Sequence, residues 1–177
     1  MKPGHIFLVG FMGAGKSTVG PLLAERLAWP FIDLDETIAG DQRRSIREIF
    51  EREGEAHFRA LETATIEALG QRTNSVVALG GGAFSQAGNV SLIRRLGTSV
   101  FLDCSFEQIL ERCPIDGTRP LFRDTSQVRR LYEARLPDYR NSDFRVDVSD
   151  LDPKYITEII VGKLFGSAPT SAEVGTR

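Results

Sequence analysis

The sequence has only two cysteines, no long hydrophobic run and no excess of charge of one sign. Cys104 and Cys113 are too few for a disulfide framework and are typical of a reducing cytosol. The longest apolar run, residues 6–12, is far too short to span a bilayer. Lys plus Arg number 22 and Asp plus Glu 24, and the resulting net charge of −2 indicates neither nucleic acid nor an anionic membrane as partner. His5 and His57 lack the spacing of metal ligands. We therefore expect a cytoplasmic protein without nucleic-acid or membrane partners.

The 177 residues, of which 41% are hydrophobic, suit one domain with a hydrophobic core. Short apolar runs predict strands over residues 6–9, 31–34, 76–79, 99–102 and 144–148. Helical spacing predicts helices over residues 18–28, 45–69, 90–96, 106–112, 126–136 and 155–165. Gly54 is expected to break the longest of these helices. Strands that alternate with helices predict an α/β fold, a parallel sheet with helices on both faces. Ligands of such sheets bind beyond the carboxyl ends of the strands.

A phosphate-binding motif follows the first predicted strand. Residues 10–17, GFMGAGKS, fit G-x-x-x-x-G-K-[ST], and a predicted helix comes next. The glycines let backbone N–H groups point at phosphate oxygens, and the helix adds its positive end. The amine of Lys16 can reach the β- and γ-phosphates, and the Ser17 hydroxyl can bind Mg²⁺. The alternative is a glycine-rich turn followed by a solvated lysine. The residues predicted to bind ATP here are Gly13, Ala14, Gly15, Lys16, Ser17 and Thr18.

Two carboxylates, Asp33 and Asp35, stand at the end of the second predicted strand. Alternation along an extended chain would place both on the same side. One can hold Mg²⁺ through water while the other accepts a proton from a substrate hydroxyl. The alternative is a pair of strand-end acids that cap the next helix.

Two further segments are candidates for binding a small polar ligand. Gly80, Gly81 and Gly82 follow the third strand and allow backbone N–H groups to approach such a ligand closely, although a flexible turn is the alternative. Arg59 and Glu62 are three residues apart on a helix and share a face. If they line a cleft, Glu62 orients the guanidinium to bind a carboxylate; otherwise they form an exposed ion pair of little energetic value.

Two more arginines are candidate anion ligands. Arg119 lies in the loop predicted over residues 114–125, and such a loop can close over ATP and bring positive charge to the migrating phosphoryl group. A plain surface loop is the alternative. Arg135 stands near the end of the following predicted helix and is a candidate second ligand for an anion.

Six segments, in order and spacing, resemble shikimate kinases: GFMGAGKS, DLD, GEAHFRALE, ALGGGA, TRPLF and EARLPDYR. The resemblance covers roughly residues 5–165 and implies a P-loop kinase three-layer fold whose five-stranded parallel sheet has the order 2-3-1-4-5. It implies one P-loop kinase domain over residues 1–165, with a substrate-binding helical region at about 35–69 and a lid at about 114–125. Small and polar residues predict a flexible tail over residues 166–177.

The resemblance also implies an activity, the Mg²⁺-dependent transfer of the ATP γ-phosphate to the 3-hydroxyl of shikimate in aromatic amino acid biosynthesis. The protein would be a cytoplasmic monomer with ATP and shikimate as its small-molecule partners. The resemblance implies that Asp35 contacts the ring hydroxyls and assists deprotonation, and that Asp33 binds Mg²⁺ through water. Arg59 and Arg135 would bind the shikimate carboxylate, and residues 80–82 would contact the substrate, with a backbone N–H from Gly81. Arg119 would be the lid arginine, and Arg112 would lie near adenine.

The sequence departs from the family pattern in two places. Pro21 falls in the second turn of the first predicted helix and should bend it, at a cost of ~3 kcal/mol if unrelieved. Residues 149–153, Ser-Asp-Leu-Asp-Pro, lack the basic or amide side chain that the family often has near adenine, so no nucleotide contact is transferred to them. The alternatives are a related small-molecule kinase, acting on gluconate or a nucleoside monophosphate, and a nucleotide-binding module without phosphotransfer.

Overall fold

The computed structural model describes residues 4–113 and 124–166. Five strands form one sheet: β1 (His5–Val9), β2 (Phe31–Asp33), β3 (Val76–Ala78), β4 (Gly97–Asp103) and β5 (Phe144–Asp147). Every strand pair is parallel, and the order is β2-β3-β1-β4-β5, as predicted. Phe7 of the central strand pairs with Val77 on one side and Ser99 on the other. The inner strands are buried along almost their whole length, which is why they read as continuous apolar runs.

Seven helices surround the sheet within the described residues: α1 (Lys16–Leu27), α2 (Leu34–Gln42), α3 (Ile46–Ala68), α4 (Ala87–Leu96), α5 (Phe106–Arg112), α6 (Thr125–Tyr139) and α7 (Pro153–Phe165). Short 3-10 turns occupy Leu69–Gln71 and Ala83–Ser85. Helix α1 contacts α7, and α3 contacts α2 and α4. The ends of the predicted elements differ from the observed ends by up to three residues. In the described ranges, none of the helices has the length and apolarity needed to cross a bilayer.

Helix α3 consists of two helical pieces that meet at Gly54, as predicted. Ser45 caps its start in a capping box with Glu48, in which each side chain bonds the other's backbone N–H. Gly54 has φ 81° and ψ 173°, a conformation open in practice only to glycine. The kink separates the first half of the helix, which buries Ile49, from the second half, which carries Arg59 and Glu62.

Helix α2 was not predicted from the spacing of apolar residues, although it lies in the helical region implied by the family resemblance, and the strand expected over residues 31–34 ends at Asp33. One carboxylate oxygen of Asp33 accepts the backbone N–H groups of Asp35 and Glu36, at 3.0 and 3.3 Å, and so caps the helix. The expectation of two acids alternating along an extended chain is therefore wrong, because Asp35 lies in the first helical turn. Leu34 and Ile38 are the only buried residues of this short helix, too few to give a periodic signal.

Two prolines lie inside helices. Helix α6 continues through Pro137 to Tyr139, so the predicted end at residue 136 is wrong and Arg135 is not at the helix end. Pro137 is exposed, whereas Tyr139 is buried and packs on Phe101, with ring centroids 5.4 Å apart. This burial offsets the missing hydrogen bond of the proline. Helix α1 likewise runs unbroken through Pro21.

Candidate active site

A cleft of about 840 Å³ lies at the carboxyl ends of β1, β2 and β3. The phosphate loop (residues 10–17), the end of β2 and the glycine turn (residues 80–82) all contribute to its wall. Helices α3, α5, α6 and α7 add further side chains. These three segments therefore meet in one place, as the parallel sheet predicts.

The phosphate loop has the backbone that its glycines allow. Gly13 and Gly15 have φ of 82° and 97°, and Gly15 is the N-cap of α1 without a side chain to cover the free N–H groups. The amine of Lys16 donates to the carbonyls of Gly10 and Phe11, at 2.7 and 2.9 Å. The loop thus wraps around the Lys16 side chain while N–H groups and a positive helix end face the cleft.

Ser17 and Asp33 meet in the wall of the cleft. The Ser17 hydroxyl donates to one carboxylate oxygen of Asp33 at 3.2 Å, while the other oxygen caps α2. Asp33 is therefore both a helix cap and a possible metal ligand, two readings that the sequence left as alternatives. The described segments contain no group of three or more His, Cys, Asp and Glu side chains able to hold a metal ion. A hydroxyl beside one carboxylate suits Mg²⁺, which takes one or two carboxylates and completes its shell with phosphates and water.

Arg59 is held by two carboxylates on its own helix. It donates to Glu62 at 2.6 Å and, through Nε and Nη2, to Glu55 at 3.1 and 2.9 Å. The Arg59 side chain is 17% exposed and that of Glu62 0%, so the alternative of an exposed Arg59–Glu62 ion pair is wrong. Burial lowers the pKa of Arg59, but hydrogen bonds and charge from Glu62 and Glu55 outweigh it and leave the pKa raised. The guanidinium is consequently charged and fixed in orientation.

Glu62 and Asp35 face each other across the first residue of the glycine turn. A Cβ on Gly80 would lie 2.7 Å from Glu62 Oε1 and 2.8 Å from Asp35 Oδ1. Burial raises the pKa of Glu62; Arg59 opposes this shift, and the charge of Asp35 adds to it. Glycine is required at residue 80 because two carboxylates occupy the space of a side chain.

The other two glycines make room for two arginines. A Cβ on Gly82 would lie 2.5 Å from Arg59 Nη1, and one on Gly81 would lie 3.1 Å from Arg135 Nη1. Arg135 is only 8% exposed and lies over the ring of Phe11, 5.9 Å from its centroid. Two cationic side chains from α3 and α6 thus approach consecutive residues of one turn. The reading of the turn as merely flexible does not explain these contacts.

The cleft continues beyond the phosphate loop into a partly apolar wall formed by Arg112, Cys113, Leu151, Pro153 and Ile156. Arg112, predicted from the resemblance to lie near adenine, is in this wall, and its guanidinium is 3.6 Å from the sulfur of Cys104. The sequence reasoning assigned no contact to residues 149–153, yet Leu151 and Pro153 line the cleft. They were missed because the sequence reasoning sought a basic or amide side chain there, whereas Leu151 and Pro153 are apolar and Pro153 begins α7.

The remaining expectations concern the lid with Arg119, the C-terminal tail and the two cysteines. Arg119 and nearly all of the predicted lid, residues 114–123, lie outside the described residues, as does the predicted tail from residue 167 onward. Cys104 and Cys113 are both free thiols, in agreement with the sequence reading. Tyr139, whose hydroxyl donates to the carbonyl of Gly81, was missed because its contact partner is 58 residues away in sequence.

A phosphate loop at the carboxyl end of the central strand in a parallel sheet of order 2-3-1-4-5 defines a P-loop kinase fold. The family model for shikimate kinase matches residues 12–164. The shikimate kinase of Persephonella marina is 38% identical over 161 residues, covering 90% of this chain and 98% of that protein. That of Geobacter sulfurreducens is 45% identical over 148 residues, 82% of each chain. The structure of shikimate kinase from Acinetobacter baumannii in complex with shikimate superposes with a TM-score of 0.87 at 35% identity, covering 92% of this chain and 93% of that one. The chain belongs to the shikimate kinase family, as its motifs indicated.

Proposed function

We propose that this protein transfers the γ-phosphate of ATP to the 3-hydroxyl of shikimate, giving shikimate 3-phosphate and ADP, a step of aromatic amino acid biosynthesis. The observation that carries the proposal is the approach of Arg59 and Arg135 to consecutive glycines in the cleft that holds the phosphate loop. Shikimate is a small ring with three hydroxyls, and its carboxylate is its only charged group. Two fixed guanidinium groups match that carboxylate.

The nucleotide occupies the other end of the cleft in this proposal. The phosphates lie against the backbone of Gly13, Ala14, Gly15 and Thr18 and the amine of Lys16, and Arg112 lies near the adenine ring. Ser17 and Asp33, whose oxygens are 3.2 Å apart, are the residues that would hold Mg²⁺, the latter through water. The ion, when bound, neutralises charge on the phosphate oxygens. The amine of Lys16, which lies within the phosphate loop, also neutralises charge on the phosphate oxygens.

Asp35 is the proposed proton acceptor. The 3-hydroxyl oxygen forms a bond to the γ-phosphorus, the bond from that phosphorus to the bridging oxygen of ADP breaks, and the hydroxyl proton passes to the Asp35 carboxylate. The first turn of α2 fixes the backbone of Asp35 through the cap at Asp33.

The remaining proposals follow from the family resemblance. Residues 1–165 are one catalytic domain in which residues 35–69 bind the substrate, and Arg119, in the lid at about 114–125, adds positive charge to the migrating phosphoryl group. The protein acts as a cytoplasmic monomer. Gly80, Gly81 and Gly82 contact the substrate through their backbone, and Gly81 offers its N–H group.

A coupled assay of ADP release tests the proposed function. Purified protein is given ATP and Mg²⁺ with shikimate, gluconate, AMP or CMP as acceptor. Of the four acceptors, we expect only shikimate to cause release of ADP, and ³¹P NMR of the product should show a phosphate monoester at the 3-position. Shikimate methyl ester, which keeps the hydroxyls and loses the charge, should be a much poorer acceptor. Turnover with gluconate or a nucleotide in place of shikimate would overturn the proposal.

A further inference from the structure

Tyr139 is a buried residue in the last turn of α6 with a polar contact to the glycine turn. It is 1% exposed, and its hydroxyl donates to the carbonyl oxygen of Gly81 at 2.5 Å. Its ring packs against Phe101 of β4, with centroids 5.4 Å apart and planes at 39°. Ring and hydroxyl are both held, so the phenol is a rigid link between the helix and the turn.

The same phenol oxygen also faces Arg135. Residues 135 and 139 are one helical turn apart and lie on the same face of α6. Burial raises the pKa of Tyr139 to about 12, although the charge of Arg135 and a hydrogen bond from it oppose the shift. The proton therefore stays on the phenol at neutral pH. Tyr139 can donate it to Gly81 and still accept from Arg135.

Through Tyr139, the backbone of the glycine turn is joined to the Arg135 guanidinium. Both are proposed to bind the substrate carboxylate. The turn's backbone and the Arg135 guanidinium are otherwise attached to different elements, β3 and α6. A hydrogen bond to the Gly81 carbonyl also polarises the peptide that continues into Gly82, which makes the Gly82 N–H a stronger donor. Loss of the hydroxyl would remove this bond from the half-buried Gly81 carbonyl and free the Arg135 guanidinium to move.

We propose that Tyr139 is a positioning residue for substrate binding, whose hydroxyl holds the glycine turn and Arg135 in the arrangement that receives the shikimate carboxylate. The proposal rests on the proposed function. The carboxylate is remote from the reacting hydroxyl and is bound in the ground state and the transition state alike. If Arg135 and the glycine turn lose their orientation, the KM for shikimate should therefore rise while kcat stays nearly unchanged.

Tyr139→Phe tests the hydroxyl and keeps the ring. We expect the KM for shikimate to rise about tenfold, with kcat within about twofold and the KM for ATP unchanged. Tyr132→Phe is the matched control, because Tyr132 also lies on α6 and donates to a backbone carbonyl, that of Cys104, at 3.1 Å. Both variants lose one such bond, so each Tm should fall by about 2 to 4 °C. Only Tyr139→Phe should raise the KM for shikimate.

An NMR measurement gives a second readout that does not depend on turnover. The ¹⁵N resonance of Gly82 should shift in Tyr139→Phe and remain unchanged in Tyr132→Phe. A wild-type KM in Tyr139→Phe, an unchanged Gly82 resonance, or equal increases of KM for ATP and shikimate would overturn the proposal. If Tyr139→Phe does not fold, the Tyr139 hydroxyl proton of the wild type decides: slow exchange with solvent, with a shift when shikimate is added, supports the proposal, and exchange at the rate of free water refutes it.

Failure of the proposed function is recognised separately. If the wild type does not phosphorylate shikimate, the proposed function falls, and with it the stated role of Tyr139 in binding that acid. The Gly82 resonance would still show whether the hydroxyl holds the turn. If the wild type is active and Tyr139→Phe behaves as the control does, only the role of Tyr139 is wrong.

Discussion

Gly82→Ala is expected to disturb Arg59 without touching the backbone of the site. The added methyl carbon would lie 2.5 Å from Arg59 Nη1, 2.6 Å from Nη2 and 2.7 Å from Cζ. Nonbonded atoms of this kind prefer about 3.5 Å or more, so the guanidinium must move by roughly 1 Å. It is the far end of a flexible side chain, and the fold should therefore survive.

The magnitude follows from what the movement breaks. Arg59 donates to Glu62 at 2.6 Å, and a displacement of about 1 Å takes this bond beyond the usual limit of about 3.2 Å. The same displacement removes one charge-assisted hydrogen bond to the substrate carboxylate, worth about 1.5 to 3 kcal/mol. The kcat/KM for shikimate should fall by about 10- to 150-fold, mostly through KM.

Steady-state kinetics with shikimate and with its methyl ester measure this effect. The variant should lose much more activity on the acid than on the ester, since only the acid carries the charge that Arg59 binds. Gly88→Ala is the matched control: Gly88 is an exposed glycine of α4 whose Cβ would meet nothing within 4 Å. It should keep full activity and gain up to about 1 kcal/mol of stability. Wild-type kcat/KM in Gly82→Ala, or equal losses on acid and ester, would refute the reasoning.

Three further outcomes are expected. Lys16→Met should reduce phosphotransfer to background while circular dichroism still shows a cooperative melt, because the amine neutralises charge at the β- and γ-oxygens; substantial turnover in the variant would contradict this. Asp35→Asn should bind ATP normally in a nucleotide-displacement titration and lose turnover, since an amide cannot accept the hydroxyl proton; retained activity would show another proton route. Burial raises the pKa of Glu62 above its ordinary value of 4.5, so the folded state binds this proton more tightly than the unfolded chain. The contribution of Glu62 to stability should therefore fall as pH rises from about 4.5 through the raised pKa and then stay level. Urea unfolding should show the wild type losing stability relative to Glu62→Gln over that interval, and a relative gain would be the opposite of what the structure predicts.

The acids with lowered pKa do not obscure the effect at Glu62. Hydrogen bonds from Ser45 lower the pKa of Glu48, and those from Ser126 and Gln127 lower that of Asp124. Groups of this kind contribute their stability above their unfolded pKa and lose it only as pH falls further. Their titration therefore lies below the interval in which Glu62 is tested.

Short-range patterns of the sequence already contain much of this fold. The phosphate loop needs only eight consecutive residues between a strand and a helix, and the structure shows the expected backbone at Gly13 and Gly15. Apolar runs predicted the five strands, and the three inner strands gave such runs because inner strands of a parallel sheet are buried on both faces. The kink at Gly54 and the i,i+3 pairing of Arg59 with Glu62 are also local, since helix geometry alone brings such residues together.

The glycine turn shows where local reasoning stops. Its three glycines predicted a close approach to the backbone, but the groups that approach are the protein's own charged side chains, from α2, α3 and α6. The C-terminal end of α6 was also decided by tertiary contacts. Pro137 by itself predicts an end to the helix, but the burial of Tyr139 against Phe101 stabilises one further turn.

Tertiary contacts also decided the chemistry at Asp35, Glu62 and Tyr139. Asp35 and Glu62 are 27 positions apart in sequence, and their proximity depends on the packing of α2 against α3, beside the glycine turn. The bond from Tyr139 to Gly81 spans 58 residues. Propensity and periodicity act over a few neighbouring residues, so a sequence pattern can predict a loop, a strand or a helix face. Burial and charge at one point in space depend on which distant segments the core brings together, and only the folded chain determines them.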